Sequence, residues 1–200
     1  MRILLLGATG RSGGRVLRRL EARGDAVTTY GRRPGGGARE LVGPLDDPEQ
    51  LAHALEGADA AVSCLASGNR APVCSTASRA LAAVAPSGLR VVTVSGASVA
   101  APEDRRGAGA RMSDALMALF MGGMLADRRE ELAILRGSDL AWTALRPPRL
   151  TERPGRGAWR FDVDRPRTAA ISRDDLAGAV LEALDREDLI GRAPFVSADR

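Results

Sequence analysis

The chain has 200 residues with 29 basic and 25 acidic side chains, and every basic residue is arginine, which excludes Schiff-base and lysine-acid chemistry. The length suits one domain, 1–200, with a substantial core, and no apolar run is long enough to cross a membrane. The arginines are dispersed and only six residues are aromatic, which argues against nucleic acid as a partner, while two cysteines, Cys64 and Cys74, suit a reducing cytoplasm better than a disulfide framework.

In chain order, no secretory leader is expected, because Ile3 to Leu6 is already a short apolar run of the kind buried on both faces of a sheet. Gly7, Gly10 and Gly13 follow at intervals of three, and Arg15 to Arg23 has helical spacing with Val16, Leu17 and Leu20 on one face. Strand, glycine turn and helix together form a pyrophosphate site, because glycines admit the phosphates and the helix start attracts negative charge. Thr9 and Ser12 add hydroxyl donors, although the spacing is G-x-x-G-x-x-G rather than G-x-G-x-x-G.

Ala26 to Tyr30 is a second strand and Ala38 to Val42 a short third one, beyond a loop at Pro34 to Gly37. Asp47 is the predicted N-cap, with Pro48 first in a helix running to Leu55. Ala60 to Leu65 is the fourth strand, Val73 to Val84 a helix, and Arg90 to Val94 the fifth strand. Met112 to Arg136 is mostly helical with a break or kink at Gly122-Gly123. Ala141 to Leu145 is a strand, Arg173 to Leu184 a helix capped by Ser172, and Phe195 to Ser197 a candidate closing strand. The alternation predicts an α/β fold: a doubly wound parallel sheet, Rossmann-like, with helices on both faces.

In such sheets the ligand crosses the carboxyl ends of the strands where strand order reverses. The expected lining is therefore the turn after Leu6, Gly31 to Arg33, Ala66 to Asn69, Ser95 to Ser98, and Arg146 to Leu150. The second strand ends in Tyr30-Gly31-Arg32-Arg33-Pro34, with no carboxylate for the ribose hydroxyls of NAD. Two guanidinium groups there match a 2′-phosphate, so NADP(H) is the expected cofactor.

The motifs GATGRSG (Gly7 to Gly13), VTTYGRRP (Val27 to Pro34), ADAAVSCLAS (Ala58 to Ser67) and VVTVSGAS (Val91 to Ser98) resemble the atypical short-chain dehydrogenase/reductases, NmrA-like branch. LRGSDLAWTALRPPRL (Leu135 to Leu150), RPGRGAW (Arg153 to Trp159) and ISRDDLAGAVLEAL (Ile171 to Leu184) bring the chain closer to the biliverdin-IXβ reductase/flavin reductase family. The resemblance implies that Gly7, Thr9, Gly10, Arg11, Ser12 and Gly13 form the phosphate loop and that Arg32 and Arg33 hold the 2′-phosphate. It implies that Leu65 and Ala66 pass the cofactor ribose, and that Pro147 and Pro148 flank nicotinamide and substrate. Three positions depart from the family pattern: Gly43-Pro44 replaces Gly-Asp, Arg128 replaces a histidine after Asp127, and Arg149 replaces a histidine after the proline pair.

The Tyr-x-x-x-Lys dyad of the usual short-chain dehydrogenase is impossible here, since Tyr30 is the one tyrosine and lysine is absent. The nicotinamide still carries hydride transfer, and the resemblance points to flavin, tetrapyrrole-like or quinone-like acceptors. The alternatives are a non-catalytic NADP-binding regulator and a tailoring reductase or isomerase of one small-molecule metabolite. Ser95, past the fifth strand, is the candidate catalytic donor and Ser98 the second choice; either could instead satisfy backbone at a strand end. Arg149 is a candidate for a substrate carboxylate or phosphate, or for a surface ion pair. Cys64 is expected to pack, His53 to lie on the surface, and no metal site is expected. Met117, Phe120, Met121 and Met124 share a helical face that suits either core or a large planar ligand.

Overall fold

The computed structural model describes residues 1–67, 71–105 and 108–199, the side chains of 108–120 excepted. Five parallel crossovers build the main sheet: β1 (Arg2–Leu6), β2 (Ala26–Gly31), β3 (Arg39–Val42), β4 (Ala60–Ser63), β5 (Arg90–Val94) and β6 (Ala141–Leu145), in the order β3-β2-β1-β4-β5-β6. This is the doubly wound Rossmann order, and the strand order reverses between β1 and β4. The register pairs Leu6 with Tyr30 on one side and Ser63 on the other, so these strand ends lie level.

Alternation along the strands divides the core in two. Ile3, Leu5, Val27, Val62 and Val92 face α1 (Gly13–Ala22) and α5 (Arg173–Asp185). Leu4, Leu6, Tyr30, Ala61 and Val91 face α2 (Pro48–Leu55), α3 (Cys74–Val84) and α4 (Ala108–Arg136). On α1, Val16, Leu17 and Leu20 are the buried stripe, as their spacing predicts. Asp47 caps α2 by accepting from Gln50 N, with Pro48 in the first turn, and Ser172 caps α5 by accepting from Asp175 N.

Boundaries shift where the glycine turn and short strands are concerned. Helix α1 begins at Gly13, two residues before the expected Arg15, because the turn itself is already coiling. Strand β4 stops at Ser63, and Cys64 to Ala66 leave the sheet as an open segment. The kink in α4 falls at Met121 (φ −129°, ψ 30°), one residue before the glycine pair. Three short strands follow β6: β7 (Arg149–Thr151), β8 (Trp159–Asp162) and β9 (Ala170–Ser172), with β7 parallel to β9. The last strand, β10 (Phe195–Ala198), pairs antiparallel with β8 and bridges to β6 through Arg146 and Phe195. The closing strand therefore joins the main sheet only at isolated bridges, and its ladder belongs to β8.

Candidate functional site

The glycine turn occupies the switch point. Gly7 has φ +82°, and a Cβ there would lie 2.8 Å from the Cys64 carbonyl carbon, so only glycine lets the ends of β1 and β4 approach this closely. A Cβ on Gly13 would lie 2.0 Å from the Gly7 oxygen; this glycine seats α1 against β1. Gly10 is different: a Cβ would meet only the Gly7 oxygen, at 3.2 Å, and Thr9, Gly10 and Arg11 are exposed residues. The turn is closed by Gly10 N donating to Gly7 O (3.0 Å) and Gly14 N donating to Gly10 O (2.8 Å). Ser12, at the N-cap of α1, makes no side-chain cap bond, which leaves the helix start open to an anion.

Two cavities open on either side of Cys64, Leu65 and Ala66, which line both. The first, about 300 Å³, runs from Gly7 and Gly10 to Arg32 and Arg33 at the end of β2. Arg32 and Arg33 are exposed, and neither has an ion-pair partner among the described residues. The second, about 620 Å³, is mostly apolar and is walled by Val94, Val99, Met124, Leu125, Pro147 and Leu150. Ser95, Ser98, Pro148 and Arg149 line it too, as does Met121 from the expected methionine face. The side chains of Met117 and Phe120 of that face, and Gly68 and Asn69 of the expected lining, lie outside what the structure describes. The bare glycine turn, the exposed arginine pair and the open helix start fit a dinucleotide with a 2′-phosphate, and the apolar cavity opens beside it.

The two serines differ. Ser95 N donates to Leu145 O at 2.7 Å, but its Oγ is shielded from solvent and has no hydrogen-bond partner among the described residues. Ser98 is half-buried on the same wall. An unpaired buried hydroxyl costs about 1–3 kcal/mol, and any acceptor oxygen that reaches it relieves that cost.

The wall formed by Cys64 to Ser67 is held from α4. Arg128 Nη2 donates to Leu65 O (2.5 Å) and Nη1 donates to Glu131 Oε2 (2.8 Å), both groups being buried. Asp127 accepts from Cys74 N (2.9 Å) and Ser75 N (3.0 Å), from the Ser75 hydroxyl (2.5 Å), and from the Ser67 hydroxyl. Burial alone would raise the Asp127 pKa, but these donors bring it down to about 2, so the carboxylate caps α3 and pins the loop after β4 together. Burial pushes the Cys64 thiol up to about 12, which agrees with a packing cysteine.

One residue of the expected lining stands elsewhere. Arg146 does not line the cleft: it is fully buried, ion-paired to Asp104 at 2.6 Å, donating to Val99 O and Ala193 O, and stacked over Phe195. It staples the loop after β5 to β6. Tyr30 lines the first cavity, not the second, and its hydroxyl donates to Pro44 O at 2.5 Å. His53 lies exposed on α2, beside Glu56 and away from both cavities. No metal-ligating cluster occurs among the described residues. Two residues that sequence reasoning left out stand at the phosphate turn: Glu152, after β7, and Arg173, opening α5, whose Nη1 donates to Ser12 Oγ at 3.0 Å. With the partners 161 positions apart in the chain, no local signal marks that contact.

Similar proteins share this architecture. The YhfK protein of Bacillus subtilis (strain 168), named an uncharacterized sugar epimerase, is 28% identical over 210 residues, spanning 96% of this chain and 92% of its own. A short-chain dehydrogenase/reductase (wide type) from Veillonella parvula DSM 2008, solved in complex with NADP, has a TM-score of 0.80 at 19% identity, over 98% of this chain and 94% of its own. ChuY, an anaerobillin reductase from Escherichia coli O157:H7, has a TM-score of 0.79 at 18% identity, over 99% of this chain and 97% of its own. The family model described as NAD(P)H-binding matches residues 7–187, across the glycine turn, both cavities and α5, and the chain belongs to that family.

Proposed function

We propose that the chain is an NADPH-dependent reductase of a flat conjugated acceptor: a flavin, a tetrapyrrole-like or a quinone-like molecule. The observation that carries this reading is the junction at Cys64 to Ala66, where an arginine-ended dinucleotide groove meets a large apolar cavity. No tyrosine, lysine, aspartate or glutamate stands among the described residues lining that cavity. When bound, the nicotinamide cofactor supplies hydride.

The chain's residues do the rest. Gly7, Thr9, Gly10, Arg11, Ser12 and Gly13 receive the pyrophosphate at the start of α1, and Arg32 with Arg33 grips the 2′-phosphate. Leu65, Ala66 and Pro147 hold the ribose and nicotinamide end against the apolar cavity. Ser95 orients the acceptor through one hydroxyl, with Ser98 beside it, while Pro148 shapes the wall and Arg149 at the rim meets an acidic group on the acceptor. Tyr30 is engaged elsewhere, so the proton that completes reduction comes from water. On this reading residues 1–200 act as one unit working in the cytoplasm, with the carboxyl third on the substrate side.

The name of the B. subtilis relative suggests sugar epimerisation. A sugar calls for many polar partners, and a wall of valine, methionine, leucine and proline offers few. The test is NADPH consumption with FMN, FAD, biliverdin and quinones, beside nucleotide sugars. Turnover of one of the first group is expected. Tight NADPH binding without any turnover would make the chain a dinucleotide-binding regulator instead, and conversion of a nucleotide sugar would make it an epimerase.

A further inference from the structure

Three guanidinium groups converge on one carboxylate beside the phosphate turn. Glu152 accepts from Arg11 Nη1 (3.2 Å), Arg15 Nη2 (3.0 Å) and Arg173 Nε (2.8 Å). Arg15 is also paired with Asp174 at 2.9 Å and donates to Arg11 O, so its role in fixing the turn is complete. Arg173 is not saturated in that way. Its side chain is only 12% exposed, its Nη1 rests on Ser12 Oγ, and it lines the apolar cavity together with Ser12. A nearly buried cation thus stands over the open start of α1, matched by a Glu152 carboxylate that is half exposed.

We propose that Arg173 is a further dinucleotide-binding residue, donating to a pyrophosphate oxygen, and that Glu152 is the stand-in anion it gives up when the dinucleotide arrives. The proposal rests on the reading of the glycine turn as the phosphate site. A guanidinium left in this position without an anion would be buried and uncompensated. Glu152 supplies that anion from the rim, where water can receive it afterwards. The exchange is electrostatically matched: a carboxylate leaves and a phosphate oxygen enters, with the same donors already oriented. Glu152 follows β7 directly, and β7 carries Arg149 and Leu150 of the apolar wall.

The test is the dissociation constant of NADPH and of NADH, followed by dinucleotide fluorescence in the full chain. Arg173→Gln is expected to weaken both by about tenfold, because the pyrophosphate is common to them. Glu152→Gln is expected to tighten both, by about threefold, since it removes the competing charge. In the double variant the gain from Glu152→Gln should vanish. Arg173→Lys, which keeps the charge, should fall between parent and Arg173→Gln, and it carries the test if Arg173→Gln does not fold. Unchanged affinity in Arg173→Gln, or a loss for NADPH alone, would overturn the proposal. So would a Glu152→Gln variant that binds as weakly as Arg173→Gln, which would make Glu152 a mere support for the arginine. Failure of the parent to bind either dinucleotide would bring down the phosphate-site reading itself, and the proposal with it.

Discussion

Arg32 and Gly13 show how differently two residues of the proposed dinucleotide site are constrained. Arg32 stands exposed at the end of β2, so its replacement should leave the fold intact. Arg32→Ala should cost about 1.5–3 kcal/mol of NADPH binding and little of NADH binding; equal losses for both would remove the 2′-phosphate from its role. Gly13 is confined by the Gly7 oxygen, and Gly13→Ala should destabilise the chain by about 3 kcal/mol or more, measured by denaturant unfolding. Gly10→Val should do the reverse, keeping the sheet folded while NADPH binding is lost. All three positions stand out in the sequence, the two glycines because their turn lies between an apolar strand and a helix, and Arg32 because it follows the second strand. Arg146 is not. As one of 29 arginines beside a proline pair it looks like a ligand contact, and only the tertiary fold places Asp104 and Phe195 against it.

The same contrast holds for whole elements. Helices α2 and α5 announce themselves through a cap residue and an apolar stripe, and the five inner crossovers follow from alternation alone. Strands β7 and β9 have three residues each, too few for a period-two pattern to stand out from loop composition. The cap of α3 is equally hidden: its N-cap residue, Val73, makes no side-chain bond, and the carboxylate comes from Asp127 on α4. That arrangement carries a pH signature. The Asp127 pKa lies near 2 in the folded chain against an ordinary value of 3.8, so the unfolded chain binds the extra proton first as pH falls. The stabilisation is present above about pH 4 and is lost as pH falls through about 2, amounting to about 2 kcal/mol. Asp127→Asn should remove this part of the acid transition, and amide exchange at Cys74 and Ser75 should rise with it.

At the scale of the molecule, the two cavities share a wall that contains no group titrating near neutrality. The Cys64 thiol is held near 12, the one histidine lies on α2, and Tyr30 is raised by burial and engaged with Pro44. Reduction of a flavin should therefore change little between about pH 6 and 8 beyond the acceptor's own ionisations. A bell-shaped profile centred in that range would reveal an enzyme-borne acid that the cavity wall does not offer. The overall plan, a doubly wound parallel sheet, was within reach of the sequence because short apolar strand runs alternate with helical segments along the chain. The size of the larger cavity was not, since its walls are drawn from β5, β7, α4 and the segments that follow β4 and β6, and it depends on how these pack.

The packing of α5 against α1 sets an order on the making of the protein. The sheet face formed by Ile3, Leu5, Val27, Val62 and Val92 is covered on one flank by α1 and on the other by Leu176, Val180 and Ala183. During synthesis those last residues emerge after all six strands of the main sheet are already outside the ribosome. A chain truncated before residue 173 thus carries the finished glycine turn on a sheet with one apolar flank bare, the surface that chaperones recognise and proteases reach. Completion of α5 closes that flank and, through Arg173 at its first turn, reaches back to the glycine turn made at the start of translation.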